Sequence, residues 1–397
     1  AGEPNQGVTQ ARYLVEEVGV PALLGPNLSR VAVEVAQDVA LPNGTLLMTG
    51  SATAVSLTTG IQDPDNLIWR TATIDSYQAD TLALMAEWLA TARLEATGAE
   101  ELDVGVLYAS DPYGSGLSSL FGQAISLGAL DLKVFPYDAL DEERYAEAAD
   151  QILQLSPSPE LIAIFGYEET SEILRLMLEG QTEGAIASAD ILLADGGRTV
   201  GLLNAAVYDA FEPDRTLVGT IPARGNYDDA QVQAAFDEFE QRYTDRFGGG
   251  SDGLPAWAEQ NYDATYLLAL AAARVDEMNL SGKDIANALS SLTDAEGEDL
   301  SLLLSRITDN MRRMGEDGSY YAEGASGTLT MDENGDRANA RIGRWTVDRE
   351  TGTFRDCGPA MSYADGLNSG TPNWCNLRCE ETSGDDDDSA GDDCAPE

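Results

Sequence analysis

Two short segments rich in glycine and hydroxyl side chains follow apolar runs near the start of the chain. Residues 22–29 read Ala-Leu-Leu-Gly-Pro-Asn-Leu-Ser, and Ser51-Ala52-Thr53 follows the next apolar run, 22 residues after Ser29. Where a strand turns into a helix in this way, free backbone N–H groups and a hydroxyl face an anion such as a carboxylate. The pattern predicts a binding pocket rather than a catalytic centre. Alternatively, Ser29 and Thr53 simply cap helices.

The charge and composition of the chain exclude several classes of function. The net charge of −46 repels nucleic acid and anionic membranes, so neither is expected as a partner. The chain has no histidine, which excludes Ser–His and Cys–His catalysis and any histidine-based metal site. We therefore predict a binding protein without cofactor or metal. A hydrolase that uses a pair of carboxylates is the alternative that remains.

Hydrophobic periodicity places the two segments in an alternation of strands and helices. Fully apolar strands that alternate with amphipathic helices predict an α/β fold, with parallel sheets covered by helices on both faces. Two segments with period 2, residues 327–331 and 340–347, predict a β-hairpin around the turn 332–336. Helices are predicted within residues 8–18, 31–40, 78–92, 144–155, 170–178 and 230–314, and strands at 20–24, 45–49, 104–108, 132–136, 161–165, 191–194 and 217–221.

All four cysteines lie in the last 41 residues of the chain. They are Cys357, Cys375, Cys379 and Cys394. Because no histidine and no second close pair accompanies them, we predict disulfides rather than a zinc site, and hence an oxidising compartment. Three pairings are possible. Residues 357–397 are predicted to form a Cys-containing acidic tail that is partly disordered.

Several motifs occur in an order that resembles a known family. These motifs are Leu24-Gly25-Pro26, Ser51-Ala52-Thr53, Arg70-Thr71, Tyr108-x-x-Asp111-x-Tyr113-Gly114-x-Gly116, Phe165-Gly166-Tyr167, Ala194-Asp195-Gly196, Asn261-Tyr262-Asp263-Ala264 and Gly327-x-Leu329-x-Met331-Asp332-x-x-Gly335-Asp336. Between residue 4 and about residue 350, the chain resembles the type I periplasmic solute-binding proteins. Within them it is similar to the leucine/isoleucine/valine-binding branch, which serves ABC importers.

The resemblance implies two doubly wound parallel-sheet lobes with a cleft between them. Residues 1–73 and 224–326 would form the first lobe, and residues 74–223 and 327–356 the second. The lobes would close on a ligand by a hinge motion. Family members begin with a strand, a helix and a second strand before the segment that matches residues 4–18, so the N-terminal strand of the first lobe is expected to be missing from this sequence.

The resemblance also implies a set of ligand-binding residues. The first lobe would bind an amino-acid carboxylate through hydroxyls and backbone N–H groups, and Asp195 would receive the ammonium group. Two tyrosines would form aromatic walls, and a tryptophan would stand at the cleft mouth. The candidate residues are Ser29, Ser51, Ala52, Thr53, Tyr113, Tyr167, Asp195 and Trp257. As alternatives, Asp195 is a turn residue and Trp257 a packing residue.

The same resemblance implies the partners of the protein. An amino acid is the expected ligand, an ABC transporter permease the expected protein partner, and the protein is expected to be a monomer outside the cytoplasm. Two alternatives use the same fold: a ligand-sensing receptor component, and a binder of urea, amides or aromatic acids. A calcium loop at Asp332-x-Asn334-x-Asp336 is disfavoured because Gly335 precedes Asp336, whereas an EF-hand places glycine after the third ligand.

Overall fold

The computed structural model describes residues 4–182, 184–212, 215–223, 229–248, 254–275, 280–357, 361–364 and 367–368. Within them, parallel strands flanked by helices form two lobes, as predicted. The strands are β1 Ala22–Leu24, β2 Leu46–Thr49, β3 Ile68–Arg70, β4 Leu102–Ala109, β5 Leu130–Tyr137, β6 Leu161–Phe165, β7 Asp190–Leu193, β8 Leu217–Pro222, β9 Glu298–Ser301, β10 Tyr320–Gly324, β11 Gly327–Thr328, β12 Asn339–Asp348, β13 Thr353–Asp356, β14 Met361–Ala364 and β15 Leu367–Asn368.

Helices cover the sheets, and the residues that end the first of them are recognisable in the sequence. The predicted helix 8–18 begins at Pro4, continues after Arg12 as a wider π-helix over Tyr13–Val18, and ends at Gly19, whose φ is 78°. The α-helices are α1 Pro4–Arg12, α2 Ser29–Val35, α3 Ser56–Thr59, α4 Asp75–Thr97, α5 Pro112–Ala124, α6 Tyr145–Leu153, α7 Thr170–Gly180, α8 Ala205–Tyr208, α9 Ala230–Phe247, α10 Ala258–Arg274, α11 Gly282–Leu292 and α12 Ile307–Arg313.

The first lobe is built on two three-stranded sheets. β1, β2 and β3 are parallel, and β10 pairs with β9 in parallel and with β11 antiparallel. One apolar cluster joins the two sheets, because Leu46 and Met48 of β2 pack with α10, α11 and β10. Both side chains are fully buried. The ends of β1 and β2 are therefore held by a shared core.

The second lobe is built on a nine-stranded sheet. Its five parallel strands lie in the order β5-β4-β6-β7-β8, and β12 then pairs antiparallel with β8. Val104, Val106, Ile162 and Ile164 have no exposed surface, as expected of strands covered on both faces. This arrangement brings the carboxyl ends of β4, β6 and β7 to one edge, where open α/β sheets bind ligands.

The predicted β-hairpin is wrong. Gly327-Thr328 pairs with β10, whereas β12 pairs with β8, β13 and β14 in the other sheet. Only a single bridge, between Met331 and Arg337, closes the turn between them. Period-2 patterns identify a strand and its buried face but not its partner. The pairing of β11 favours a crossing between the lobes after residue 328 rather than the predicted one at residue 326, and the predicted lobe boundaries stay predictions.

No described helix is both long and apolar enough to span a membrane. Cys357 is buried and is the one cysteine that falls within the described ranges. The predictions for Cys375, Cys379, Cys394 and for the rest of the acidic tail lie outside those ranges.

Candidate functional site

A cleft of about 1010 Å³ lies between the two lobes at the carboxyl ends of their strands. Seven of the eight predicted site residues line it, and Ala52 does not. The first lobe contributes Ser29, Ser51, Thr53 and Trp257, and the second contributes Tyr113, Tyr167 and Asp195. The structure thus brings together side chains that are up to 228 positions apart in the chain, between Ser29 and Trp257.

The two hydroxyl turns on the first lobe lie side by side. Gly25, with a φ of 92°, allows the first turn to leave β1 sharply. The Ser29 hydroxyl accepts a hydrogen bond from the Ala54 N–H at 3.2 Å, and the Ser51 hydroxyl donates to the Asn27 carbonyl at 3.0 Å. These two hydrogen bonds fix the first turn against the second at the wall of the cleft.

Neither Ser29 nor Thr53 caps a helix, so that alternative is wrong. The residue before α2 is Leu28, and the second turn leads only to the four-residue helix α3, which begins at Ser56. The Ala52 N–H donates to the Thr49 hydroxyl at 3.1 Å and is therefore occupied within the protein. The anion-binding capacity of this wall thus rests mainly on hydroxyl groups rather than on two helix N-termini.

On the second lobe, Asp195 follows β7 and is 5 % exposed. The Tyr113 hydroxyl donates to its Oδ1 at 2.7 Å. Burial raises the pKa of Asp195, and hydrogen bonds from Tyr113 and Gln78 oppose that rise. A Cβ on Gly196 would lie 2.4 Å from the Gly166 carbonyl oxygen, so glycine is required for this turn to pack against the end of β6. A nearly buried carboxyl group thus lines the cleft without an ion-pair partner among the described residues.

A second acid, Asp75, lies behind Asp195 at the start of α4 and has no exposed surface. Its carboxyl group lies beside the Thr53 hydroxyl, which lowers its pKa, and its N–H donates to the Thr53 carbonyl at 3.0 Å. Burial, reinforced by the charge of Asp195, raises the pKa of Asp75 to about 8. The charge of Arg70 only partly offsets this rise. Two neighbouring acids disfavour each other's ionisation, and a further cation bound beside Asp195 would relieve this.

The carboxyl group of Asp75 makes the stability of the ligand-free protein depend on pH. An unfolded aspartate ionises near pH 3.9, whereas folded Asp75 keeps its proton up to about pH 8. In that window the folded state binds more protons, so the free energy of unfolding falls as the pH rises, by at most about 1.4 kcal/mol per pH unit. We expect Asp75→Asn to flatten this slope in urea denaturation series. An unchanged slope, or an equal effect of the exposed Asp309→Asn, would contradict the assignment.

The aromatic pair Tyr113 and Tyr167 stands between the lobes. Their ring centroids are 5.1 Å apart. The Tyr167 hydroxyl donates to Asp111 Oδ2 at 2.7 Å, and the guanidinium of Arg30 lies 4.5 Å from the centre of the Tyr167 ring. Trp257, just before α10, has a φ of 67°, and its carbonyl accepts a hydrogen bond from Asn261 Nδ2 at 2.8 Å. Trp257 lines the cleft and is only partly buried, which favours the predicted role at the cleft mouth over the packing role.

Sequence reasoning missed four residues in or beside the cleft. Arg30 and Glu169 line it, and Asp75 and Asp111 are bonded to residues that line it. Asp75 looks like any acidic residue in the first turn of a helix, and Asp111 looks like an N-cap, which it also is. Glu169 lines the cleft and accepts hydrogen bonds on Oε1 from the Tyr137 hydroxyl at 2.8 Å and the Tyr167 N–H at 2.9 Å. Position in the sequence is the signal that could have identified two of them, because Arg30 adjoins Ser29 and Asp111 lies two residues before Tyr113.

Two buried arginines join the chain crossings beside the cleft. Arg70, at the end of β3, contacts Asp336 and Thr58 and donates to the Ala54 carbonyl at 2.9 Å. Arg337 donates to the carbonyls of Thr71 and Ser326, at 3.2 and 2.8 Å. These contacts link the crossing between β3 and α4 to the crossing between β11 and β12. The predicted hinge positions near Thr73 and Ser326 lie in or beside this linked segment, and the position near Arg224 lies outside the described residues.

Comparison with known proteins gives the family. The model described as "Receptor family ligand binding region" matches residues 103–349. The chain belongs to this family. Its fold is the type I periplasmic binding fold. A search of curated proteins finds no match for this member of the receptor ligand-binding family.

Solved structures agree with the fold of this family member. A leucine binding protein from Thermotoga maritima is 20 % identical, with a TM-score of 0.65 over 91 % of this chain and 85 % of that chain. An ABC transporter substrate-binding protein from Desulfitobacterium hafniense in complex with Leu is 16 % identical, with a TM-score of 0.55 over 89 % and 85 %. A solute binding protein from R. palustris in complex with 4-hydroxybenzoate is 12 % identical, with a TM-score of 0.63 over 92 % and 84 %. At these identities the likeness concerns the fold alone.

Proposed function

We propose that this protein captures an amino acid in the cleft between its lobes and delivers it to an ABC importer. The observation that carries this proposal is the buried carboxyl group of Asp195, on the wall of the cleft opposite the hydroxyl turns. A buried carboxylate without a cation is costly. The ammonium group of an amino acid supplies that cation and three hydrogen-bond donors.

The first lobe is suited to the other end of the same ligand. Ser29, Ser51 and Thr53 place hydroxyl groups on one wall. The Ser29 hydroxyl accepts from the Ala54 N–H and can donate its own proton to a carboxylate, whereas the Ser51 and Thr53 hydroxyls would have to turn away from Asn27 and Asp75 to do so. A zwitterion spanning the cleft then has each charge opposite a complementary wall. Closure around it would remove water and strengthen both contacts.

The names of the structural neighbours support a small ligand of this size. One is a leucine binding protein and another is in complex with Leu, whereas a third is in complex with 4-hydroxybenzoate. An aromatic acid would suit Tyr113 and Tyr167 but has no ammonium group, so it would leave Asp195 without a cation. The buried carboxyl group of Asp195 therefore favours an amino acid over an aromatic acid.

Thermal-shift measurements on the full chain test this proposal. We expect one or a few of the twenty amino acids to raise the melting temperature, because a ligand that binds only the folded state stabilises it by mass action. 4-Hydroxybenzoate and urea are the comparison compounds. A flat response to all amino acids together with a shift from 4-hydroxybenzoate would contradict the amino-acid proposal in favour of the aromatic-acid alternative.

The setting of this function follows from the cysteines and the family. We propose a monomer outside the cytoplasm, with disulfides that involve Cys357 and the tail cysteines. Delivery to a permease distinguishes this proposal from a ligand-sensing role of the same fold. Uptake of the amino acid into vesicles that contain an ABC permease would separate the two, because a sensor would bind the amino acid without stimulating its transport.

A further inference from the structure

Three side chains meet where the two lobes face each other beside the cleft. Arg30 lies on α2, whose neighbours Val31, Ala32 and Val35 pack against the sheet of the first lobe. Asp111 follows β4 of the nine-stranded sheet, and Tyr167 follows β6 of the same sheet. Arg30 Nη1 donates to Asp111 Oδ2 at 3.1 Å. The contact therefore joins the lobes directly, 81 positions apart in the chain.

The two carboxylate oxygens of Asp111 accept hydrogen bonds from different parts of the molecule. Oδ1 accepts hydrogen bonds from the backbone N–H groups of Tyr113 and Gly114, at 3.1 and 3.0 Å, and so caps α5. Oδ2 accepts from Arg30 and from the Tyr167 hydroxyl. One oxygen thus belongs to the structure of the second lobe, and the other binds the first lobe.

The arginine is held on two sides. Its guanidinium lies over the Tyr167 ring at 4.5 Å, which adds a cation–π contact to the ion pair. The side chains of Arg30 and Asp111 are only 11 % and 14 % exposed. A partly buried, charge-assisted contact of this kind is stronger than an exposed ion pair.

Arg30 also lies between two cavities. It lines the ligand cleft and a smaller cavity of about 310 Å³, which Asp111, Pro112 and Asp138 line as well. Asp111 does not line the ligand cleft itself. The contact between Arg30 and Asp111 therefore closes one side of the cleft and forms part of the wall toward the smaller cavity.

We propose that Arg30, Asp111 and Tyr167 form a latch that holds the two lobes together in the absence of ligand. The latch raises the population of the closed form before a ligand arrives. The apparent affinity for a ligand is lower when only a small fraction of the protein is in the form that holds the ligand. The latch raises the fraction of the closed form and would therefore also tighten ligand binding. This inference does not depend on the identity of the ligand, so it is tested on the ligand-free protein.

Small-angle X-ray scattering of the ligand-free full chain provides the test. We expect Arg30→Gln and Asp111→Asn each to increase the radius of gyration, because the two lobes open when the contact between them is lost. Asparagine at position 111 keeps an oxygen that can cap α5 and removes the charge. The double variant should be no more expanded than either single variant, since both break the same contact.

Arg12→Gln is the matched control. It breaks an exposed Arg12–Glu16 pair on the neighbouring helix and should leave the scattering unchanged. Circular dichroism confirms that each variant is folded, and Arg30→Gln still decides the question if Asp111→Asn unfolds α5. Scattering of Arg30→Gln identical to that of the unsubstituted chain, or additive expansion in the double variant, would overturn the latch.

Discussion

Replacing Asp195 by asparagine is expected to weaken amino-acid binding by about a hundredfold or more. The change keeps the shape of the side chain and an oxygen that can accept from Tyr113, but it removes the charge opposite the ammonium group. Loss of a buried, charge-assisted hydrogen bond costs about 3 kcal/mol, which corresponds to more than two orders of magnitude in affinity. Isothermal titration calorimetry with the amino acid that gives the largest thermal shift measures this loss.

The same variant should not unfold the protein. Burial of a neutral amide costs less than burial of a carboxylate without a cation, so the melting temperature of the ligand-free variant should be equal to or higher than that of the unsubstituted chain. Asp309→Asn, at an exposed ion pair on α12, is the control and should change neither quantity. Unchanged affinity in Asp195→Asn would show that the ammonium group binds elsewhere.

Replacing Arg70 by methionine is expected to lower the free energy of unfolding by about 3–5 kcal/mol. The side chain is 1 % exposed and contacts the Asp336 carboxylate, which is itself largely buried. Methionine fills much of the volume but leaves Asp336 without its cation and the Ala54 carbonyl without its donor. Breaking a buried pair from one side is costly for this reason. Urea denaturation of the ligand-free chain measures the loss.

A double substitution separates the charge effect from packing. If the cost of Arg70→Met comes mainly from the unpaired Asp336, then Arg70→Met combined with Asp336→Asn should recover a large part of the lost stability. Arg312→Met, at a largely exposed pair, is the matched control, and its free energy of unfolding should lie within about 0.5 kcal/mol of that of the unsubstituted chain. A loss as small as this control in Arg70→Met would contradict the structural role assigned to Arg70.

The buried parallel strands and the position of the cleft were predictable from the sequence, because burial on both faces of the sheet decides both. Fully apolar runs such as 161–165 become buried parallel strands because helices cover both faces, and the carboxyl ends of such strands must meet at one edge. Tyr113, Tyr167 and Asp195 follow three of these strands, so their convergence was predictable. Their individual roles in ligand binding stay predictions.

Other features depend on contacts that local patterns do not encode. The alternation in 327–331 and 340–347 is the same whether these strands pair with each other or with separate sheets. Asp75 reads as an ordinary acid at a helix start, and only the fold shows that it has no exposed surface and lies behind Asp195. Arg30 was passed over because its partner is 81 positions away.

The two arginine contacts between the lobe crossings also have a mechanical consequence. Arg70 binds Asp336, and Arg337 binds the Thr71 carbonyl, so the two crossing segments are bonded along their edges rather than running independently. Because the two segments are bonded to each other, they cannot easily slide or twist relative to each other, but both can still bend at the same place. The lobes should therefore open by a hinge rotation about a single axis and return to the same relative orientation on every closure.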